Sequence, residues 1–145
     1  MTYADTSFLI SLYTLDANSA AAAAYVRSAA APFPLTPFGR LELINSIHLR
    51  HFRGEIALAE SKAALADLAS DLAAGVFSPI PTPPAMYERA QSLISRRTAL
   101  LGARGVDIVH VAAALEIHAE SFLTFDRLQS RLARAEGLAT PVRIR

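Results

Sequence analysis

The sequence predicts an α/β fold with a largely parallel sheet and helices on both faces. Short apolar segments that read as strands alternate with longer amphipathic ones. The segment Val106 to His118 is apolar nearly all round, as a buried helix must be. Composition agrees: 52% of the 145 residues are hydrophobic and 19% charged, which suits a packed core and one domain over residues 1–145.

The elements follow in order. Met1 to Asp5 is short and apolar and predicts a buried strand with Asp5 at its carboxyl end. Thr6 or Ser7 can cap the next helix, which places Phe8, Leu9, Leu12 and Tyr13 on one face. A second helix is expected from about Asn18 to Ala30, capped by Asn18 or Ser19. Pro32 to Pro37 breaks it and offers a short strand. A helix from about Phe38 to Phe52 follows, with Leu41, Ile44, Ile47 and His48 as its inner stripe, and Gly54 ends it. Glu55 to Ala74 predicts an amphipathic helix bearing Leu58, Leu65, Leu68 and Leu72, stopped by Gly75. Val76 to Ile80 is a candidate strand. The prolines at 81, 83 and 84 then precede a helix to about Leu101. A small-residue loop over Gly102 to Gly105 leads into the buried helix from Val106 to His118. Ser121 to Phe125 predicts a strand ended by Asp126, Arg127 to Glu136 a basic helix, and Ala139 to Ile144 a last strand.

In an open parallel sheet, ligands gather beyond the carboxyl ends of the strands. Asp5 and Asp126 stand at two such ends. Asp107 lies in the first turn of the buried helix, and Glu42 early in the helix after the Leu35-Thr36 strand. All four map to one edge of the sheet. Each has a plainer reading on its own: a strand-end Asp as a helix cap, Asp107 as a charge favoured at a helix start, Glu42 as a solvated residue. Together, beside buried segments, they are costly unless paired or bound to metal. No lysine is near, and the nearby arginines are few: Arg40, Arg104 and Arg127. A hard divalent cation would balance the cluster, and Mg²⁺ or Mn²⁺ takes such oxygen ligands.

Other signals are weaker. The chain has no cysteine, which removes disulfides, thiolate metal sites and a cysteine nucleophile. No secretory signal and no spanning apolar run is visible, so a cytoplasmic protein with no membrane association is expected. A net charge of +1 excludes bulk coating of nucleic acid. The basic residues are nearly all arginine, a bias that suits phosphate binding but for which GC-rich codon usage is the plainer cause. His110 follows Asp107 by one turn on the same face and reads as a core histidine before a supporting donor to the site. His48 and His51 lack a third ligand and read as surface residues. No nucleophile elbow, phosphate-cradling loop or dinucleotide fingerprint occurs.

The segments Asp5-Thr6-Ser7-Phe8-Leu9-Ile10-Ser11-Leu12-Tyr13, Arg104-Gly105-Val106-Asp107 through Leu115, and Phe122-Leu123-Thr124-Phe125-Asp126-Arg127 resemble, in order, the opening motif, buried helix and closing strand of PIN-domain nucleases. Glu42 within Leu41-Glu42-Leu43-Ile44-Asn45 matches the helix glutamate of that family. The resemblance implies a three-layer sandwich with a mostly parallel sheet of four or five strands. It implies metal-dependent hydrolysis of RNA, with Asp5, Glu42, Asp107 and Asp126 holding one or two Mg²⁺ ions for which Mn²⁺ can substitute. Thr6, Ser7 and Thr124 would orient the carboxylates or water through their hydroxyls. Single-domain members of this size are mostly VapC-type toxins of bacterial toxin–antitoxin pairs. That implies RNA as substrate, a cognate antitoxin laid in a hydrophobic groove, a homodimer, and operator DNA reached only through the antitoxin. A DNA flap nuclease and a non-catalytic binding module of the same fold remain alternatives. A phosphoacceptor signalling domain would need a pocket lysine, and Lys62, the only lysine, lies in mid-helix.

Overall fold

The computed structural model describes residues 1–29 and 32–144. Strand β1 (Thr2–Ala4) pairs in parallel with β4 (Ser121–Leu123), matching Thr2 to Ser121, Tyr3 to Phe122 and Ala4 to Leu123. Strand β2 (Phe33–Leu35) pairs in parallel with β3 (Phe77–Pro79). Successive side chains of a strand point to opposite faces, and the core divides accordingly. Tyr3 and Phe122 enter one cluster with Met86, Leu93, Ile108, Val111 and Leu132. Ala4 and Leu123 enter another with Phe8, Leu43, Ile47, Leu68 and Phe77. Helices α1 (Thr6–Tyr13), α2 (Ser19–Ser28), α3 (Pro37–Phe52) and α4 (Leu58–Ala73) supply the Ala4 side. Helices α5 (Met86–Leu93), α7 (Gly105–Glu116) and α8 (Arg127–Ala135) supply the Tyr3 side, with the short α6 (Ala99–Leu101) between them. This is the expected α/β arrangement with helices on both faces.

The sheet is more broken than a continuous ribbon of four or five strands. The backbone of Phe33 accepts its place on β3 by donating to Val76 O at 3.1 Å, and Leu35 O accepts from Ile80 N at 3.0 Å. Strand alternation therefore turns the backbone of Pro34 the other way, toward β1, which lies beside β2. Proline has no N–H to donate there, so the two pairs form separate hydrogen-bonded ladders. The expected strand over Ala139 to Ile144 contracts to a single parallel bridge between Ala139 and Ser121.

Other boundaries move for local reasons. The described part of the second helix ends at Ser28, and its expected end at Ala30 lies outside the described residues. Helix α3 buries Gly39, Leu43 and Ile47 while Leu41 and His48 are exposed, so the inner stripe is rotated from the one expected. Apolar residues at 41, 43, 44, 47 and 49 fit more than one face, and packing against α1 and α4 selects Leu43 and Ile47. Helix α4 begins at Leu58, which is exposed, and buries Ser61, Ala64 and Leu68, with Leu65 and Leu72 partly covered. The helix after the prolines passes through a π-helical turn over Ile94–Thr98. Helix α7 stops at Glu116, and His118 follows in the left-handed region at φ 55°, a conformation costly for a residue with a Cβ.

Candidate active site

The site forms where β1 and β4 end. Asp5 follows β1 and caps α1, and is completely buried. Its Oδ1 accepts from Phe8 N at 2.9 Å and Ser7 Oγ at 2.8 Å. Its Oδ2 is buried with no hydrogen-bond partner. Burial pushes the carboxyl up to about 6, against the pull of the His110 imidazole and of the hydroxyls and amide around it. Ser7 also accepts from Phe125 N at 2.8 Å and lies 3.1 Å from Thr124 Oγ1. Since the Ser7 hydroxyl donates to Asp5, the Thr124 hydroxyl donates to Ser7. A hydroxyl chain thus ties the end of β4 to the carboxyl at the end of β1.

Asp126 caps α8, its Oδ1 accepting from Leu128 N at 2.7 Å and Gln129 N at 2.8 Å. Both aspartates therefore have the plainer capping role and the positive end of a helix at once. Glu42, on the second turn of α3, accepts from Thr6 Oγ1 at 2.8 Å and from His110 Nε2 at 2.6 Å. The His110 contact is the main reason its carboxyl titrates below the usual range, ahead of the opposing effect of burial. A carboxylate only accepts, so Nε2 carries the proton. The other ring nitrogen, Nδ1, lies 2.9 Å from the hydroxyl of Tyr3, which stacks on Phe122. His110 is both a fully buried core residue and a direct partner of a site acid.

Asp107 sits in the first turn of α7, buried. Arg104 closes on it with Nε to Oδ2 at 3.0 Å and Nη2 to Oδ1 at 3.1 Å, and Gln129 Nε2 donates to Oδ1 at 3.2 Å. The Arg104 guanidinium is also within the field of Asp126 and Glu42. Thr6, Ser7, Glu42, Asp107 and Asp126 line one cleft of about 330 Å³, with Arg50, Arg53 and Arg104 on its walls. Asp5 lies beneath this cleft, reaching it through Ser7.

Of the two ways to offset the cost of gathering these acids, pairing and metal binding, the contacts show pairing. The Arg104 guanidinium, the N–H of His110 Nε2 and two helix N-termini supply positive charge or hydrogen-bond donors to these acids. Among the described residues, no three acidic or histidine side chains stand close enough to hold a metal ion as they are. The donor chemistry nevertheless fits a hard cation: carboxylate oxygens only, one of them buried and unpartnered on Asp5. Arg40, thought near the cluster, instead lines an apolar groove with Leu35, Leu41 and Ile80. Sequence reasoning missed Tyr3 and Gln129. The one signal available was their spacing, Tyr3 two residues before Asp5 and Gln129 three after Asp126.

The chain matches the PIN domain family over residues 2–135, and it belongs to that family. Among solved structures, its fold is similar to that of Mycobacterium tuberculosis VapC20, a Sarcin-Ricin loop cleaving toxin. The TM-score is 0.71 and the identity 19%, over 95% of this chain and 97% of that one. No curated protein sequence matches the chain.

Proposed function

We propose that the chain is a metal-dependent endoribonuclease that hydrolyses RNA phosphodiester bonds, acting as the toxin of a type II toxin–antitoxin pair. The observation that carries this reading is the unpartnered, fully buried Oδ2 of Asp5 beneath a cleft lined by three more acids. An ionised oxygen with no partner in that setting is destabilised until a cation arrives. The likeness to a toxin that cleaves the Sarcin-Ricin loop supports RNA as the substrate class.

Asp5, Glu42, Asp107 and Asp126 would hold Mg²⁺, with Mn²⁺ as substitute, in one or two ions. The bound cation would supply a hydroxide near neutral pH and charge stabilisation at phosphoryl oxygens. The remaining work falls to the protein. Ser7 and Thr124 fix the plane of Asp5. Thr6 and His110 hold Glu42 Oε2, and the Tyr3 hydroxyl fixes the ring of His110. Arg104 must release Asp107 before that carboxylate can ligate, so it acts as the site's own counter-ion until then.

A cognate antitoxin and a second copy of the chain are the partners proposed with this role, operator DNA being reached through the antitoxin, in the cytoplasm. The apolar groove at Leu35, Pro37, Leu41, Ile44 and Ile80, about 320 Å³, is the place for an antitoxin helix. Among the described residues no helix is long and apolar enough to cross a membrane.

The test is cleavage of RNA by purified protein with Mg²⁺ or Mn²⁺, stopped by chelator and abolished in Asp5→Asn. Full activity in that variant refutes the assignment. The Arg104–Asp107 pair favours one second reading, a non-catalytic module whose acids are permanently satisfied. Absence of Mn²⁺ binding at millimolar metal in isothermal titration would select it.

A further inference from the structure

We infer that the outer face of α8 and the segment after it form a track for the phosphate backbone of single-stranded RNA, leading away from the acidic cleft. The inference rests on the ribonuclease reading for the identity of its ligand. Its carrying observation is the distribution of arginine pairing. Among the described residues, Arg50, Arg53, Arg89, Arg96, Arg97 and Arg104 each form an ion pair with an acid. Six others form none, and four of those six, Arg127, Arg131, Arg134 and Arg143, line a single groove of about 510 Å³. All four are exposed, and the groove contains no acidic side chain.

Their placement follows from helix geometry. Positions 127, 131 and 134 are spaced i, i+4 and i+7, so they rise along one face of α8. Thr140 accepts from Ser130 Oγ at 3.4 Å and is also bonded by Arg134 Nε, which pins the following segment and Arg143 beside that face. Helix stability explains Arg134, a cation in the last turn. It does not explain Arg127, which stands at the first residue of α8, where the helix dipole disfavours positive charge. Arg127 directly follows Asp126, so the basic face begins where the acidic cleft ends. A free guanidinium fork matches phosphate oxygens well. The groove has no aromatic side chain, its walls being Pro141, Val142 and Ile144. It therefore grips backbone without stacking bases, and binding through it is sequence-independent and salt-sensitive.

The test is fluorescence anisotropy of the full chain in chelator with a 5′-labelled, unstructured oligouridine, titrated across KCl concentrations. Four phosphate contacts give a slope of log K against log salt of about −3 for a single strand. The double variant Arg131→Gln/Arg143→Gln should flatten the slope by about 1.4 and weaken low-salt binding at least tenfold. Arg27→Gln/Lys62→Gln, which removes two unpaired cations elsewhere, should leave both unchanged. Equal loss in the two double variants, or none in the first, overturns the track. So does displacement of the RNA by polyglutamate at equal charge concentration, which would make the groove a site for acidic peptide. Cleavage assays with metal separate the two readings. Protein that binds the oligonucleotide through these arginines yet cuts neither it nor total cellular RNA, ribosomes included, in Mg²⁺ or Mn²⁺ would refute the nuclease and keep the track. Protein that cuts with unchanged KM after loss of the arginines would refute the track and keep the nuclease.

Discussion

Replacing Asp5 by asparagine separates the two roles of its carboxyl group. An asparagine Oδ1 reproduces both bonds, from Phe8 N and Ser7 Oγ, so the α1 cap survives. What disappears is the charge on an oxygen that is buried without a partner. Burial raises the group from 3.8 to about 6, roughly two pKa units or about 3 kcal/mol. The sign follows from linkage. Below about pH 4 the acid is protonated folded and unfolded, and its charge costs nothing. Between pH 4 and 6 only the unfolded chain ionises freely, so wild-type stability falls as pH rises. Above pH 6 the full cost is present. In chelator at pH 7.5, Asp5→Asn should therefore be more stable than wild type by up to about 3 kcal/mol, roughly 10 °C in Tm. The figure is an upper value, since the asparagine amide brings two donors to the same place. The gain should vanish near pH 4. Mg²⁺ at a hundredfold excess over its Kd should return about 2.7 kcal/mol to wild type and far less to the variant. Thermal and urea unfolding followed by circular dichroism, from pH 4 to 8 with and without Mg²⁺, measures each quantity. A variant that is less stable at pH 7.5, a gap independent of pH, or equal stabilisation of both proteins by Mg²⁺ would refute the account of Asp5 as a carboxylate awaiting a cation.

Three further outcomes are expected. Arg104→Gln should tighten Mn²⁺ binding about fivefold by calorimetry, because it frees Asp107; the figure is kept near 1 kcal/mol since the Arg104 side chain is 71% exposed and screened. Tyr3→Phe keeps the stack on Phe122 but leaves the buried His110 Nδ1 without its hydroxyl, and should weaken Mn²⁺ affinity about tenfold and cost about 1–3 kcal/mol of stability in urea titration. His118→Gly should stabilise the fold by about 0.5–1 kcal/mol in urea titration, by relieving a left-handed backbone at φ 55°.

The sequence is informative where one pattern admits one solution. The short apolar runs before Asp5 and Asp126 fit only buried strands, and the all-round apolar face of α7 fits only a buried helix. These place three of the four acids at the sheet edge, as found. It misleads where patterns are degenerate, as in α3, whose many leucines and isoleucines allow two inner faces. It is silent on contacts made at long range. Nothing near Pro34 shows that its missing N–H will face β1. The Arg104–Asp107 pair is instead local, at i and i+3, and its spacing made it legible as a source of positive charge for the cluster. For His110 the choice between core and site was a false one, because a buried imidazole can serve both when its two nitrogens meet Tyr3 and Glu42.

The pairing of Thr2 with Ser121 has a kinetic meaning. The amino-terminal strand waits for a neighbour encoded more than a hundred residues later, and such distant closure is slow and late in folding. During synthesis the first carboxylate emerges early, but its hydroxyl support on Thr124 and its companion at Asp126 do not exist until almost the whole chain has left the ribosome. A half-made chain thus lacks both the Thr124 hydroxyl and the Asp126 carboxylate, and the surroundings of Asp5 are complete only once β4 and α8 have joined β1.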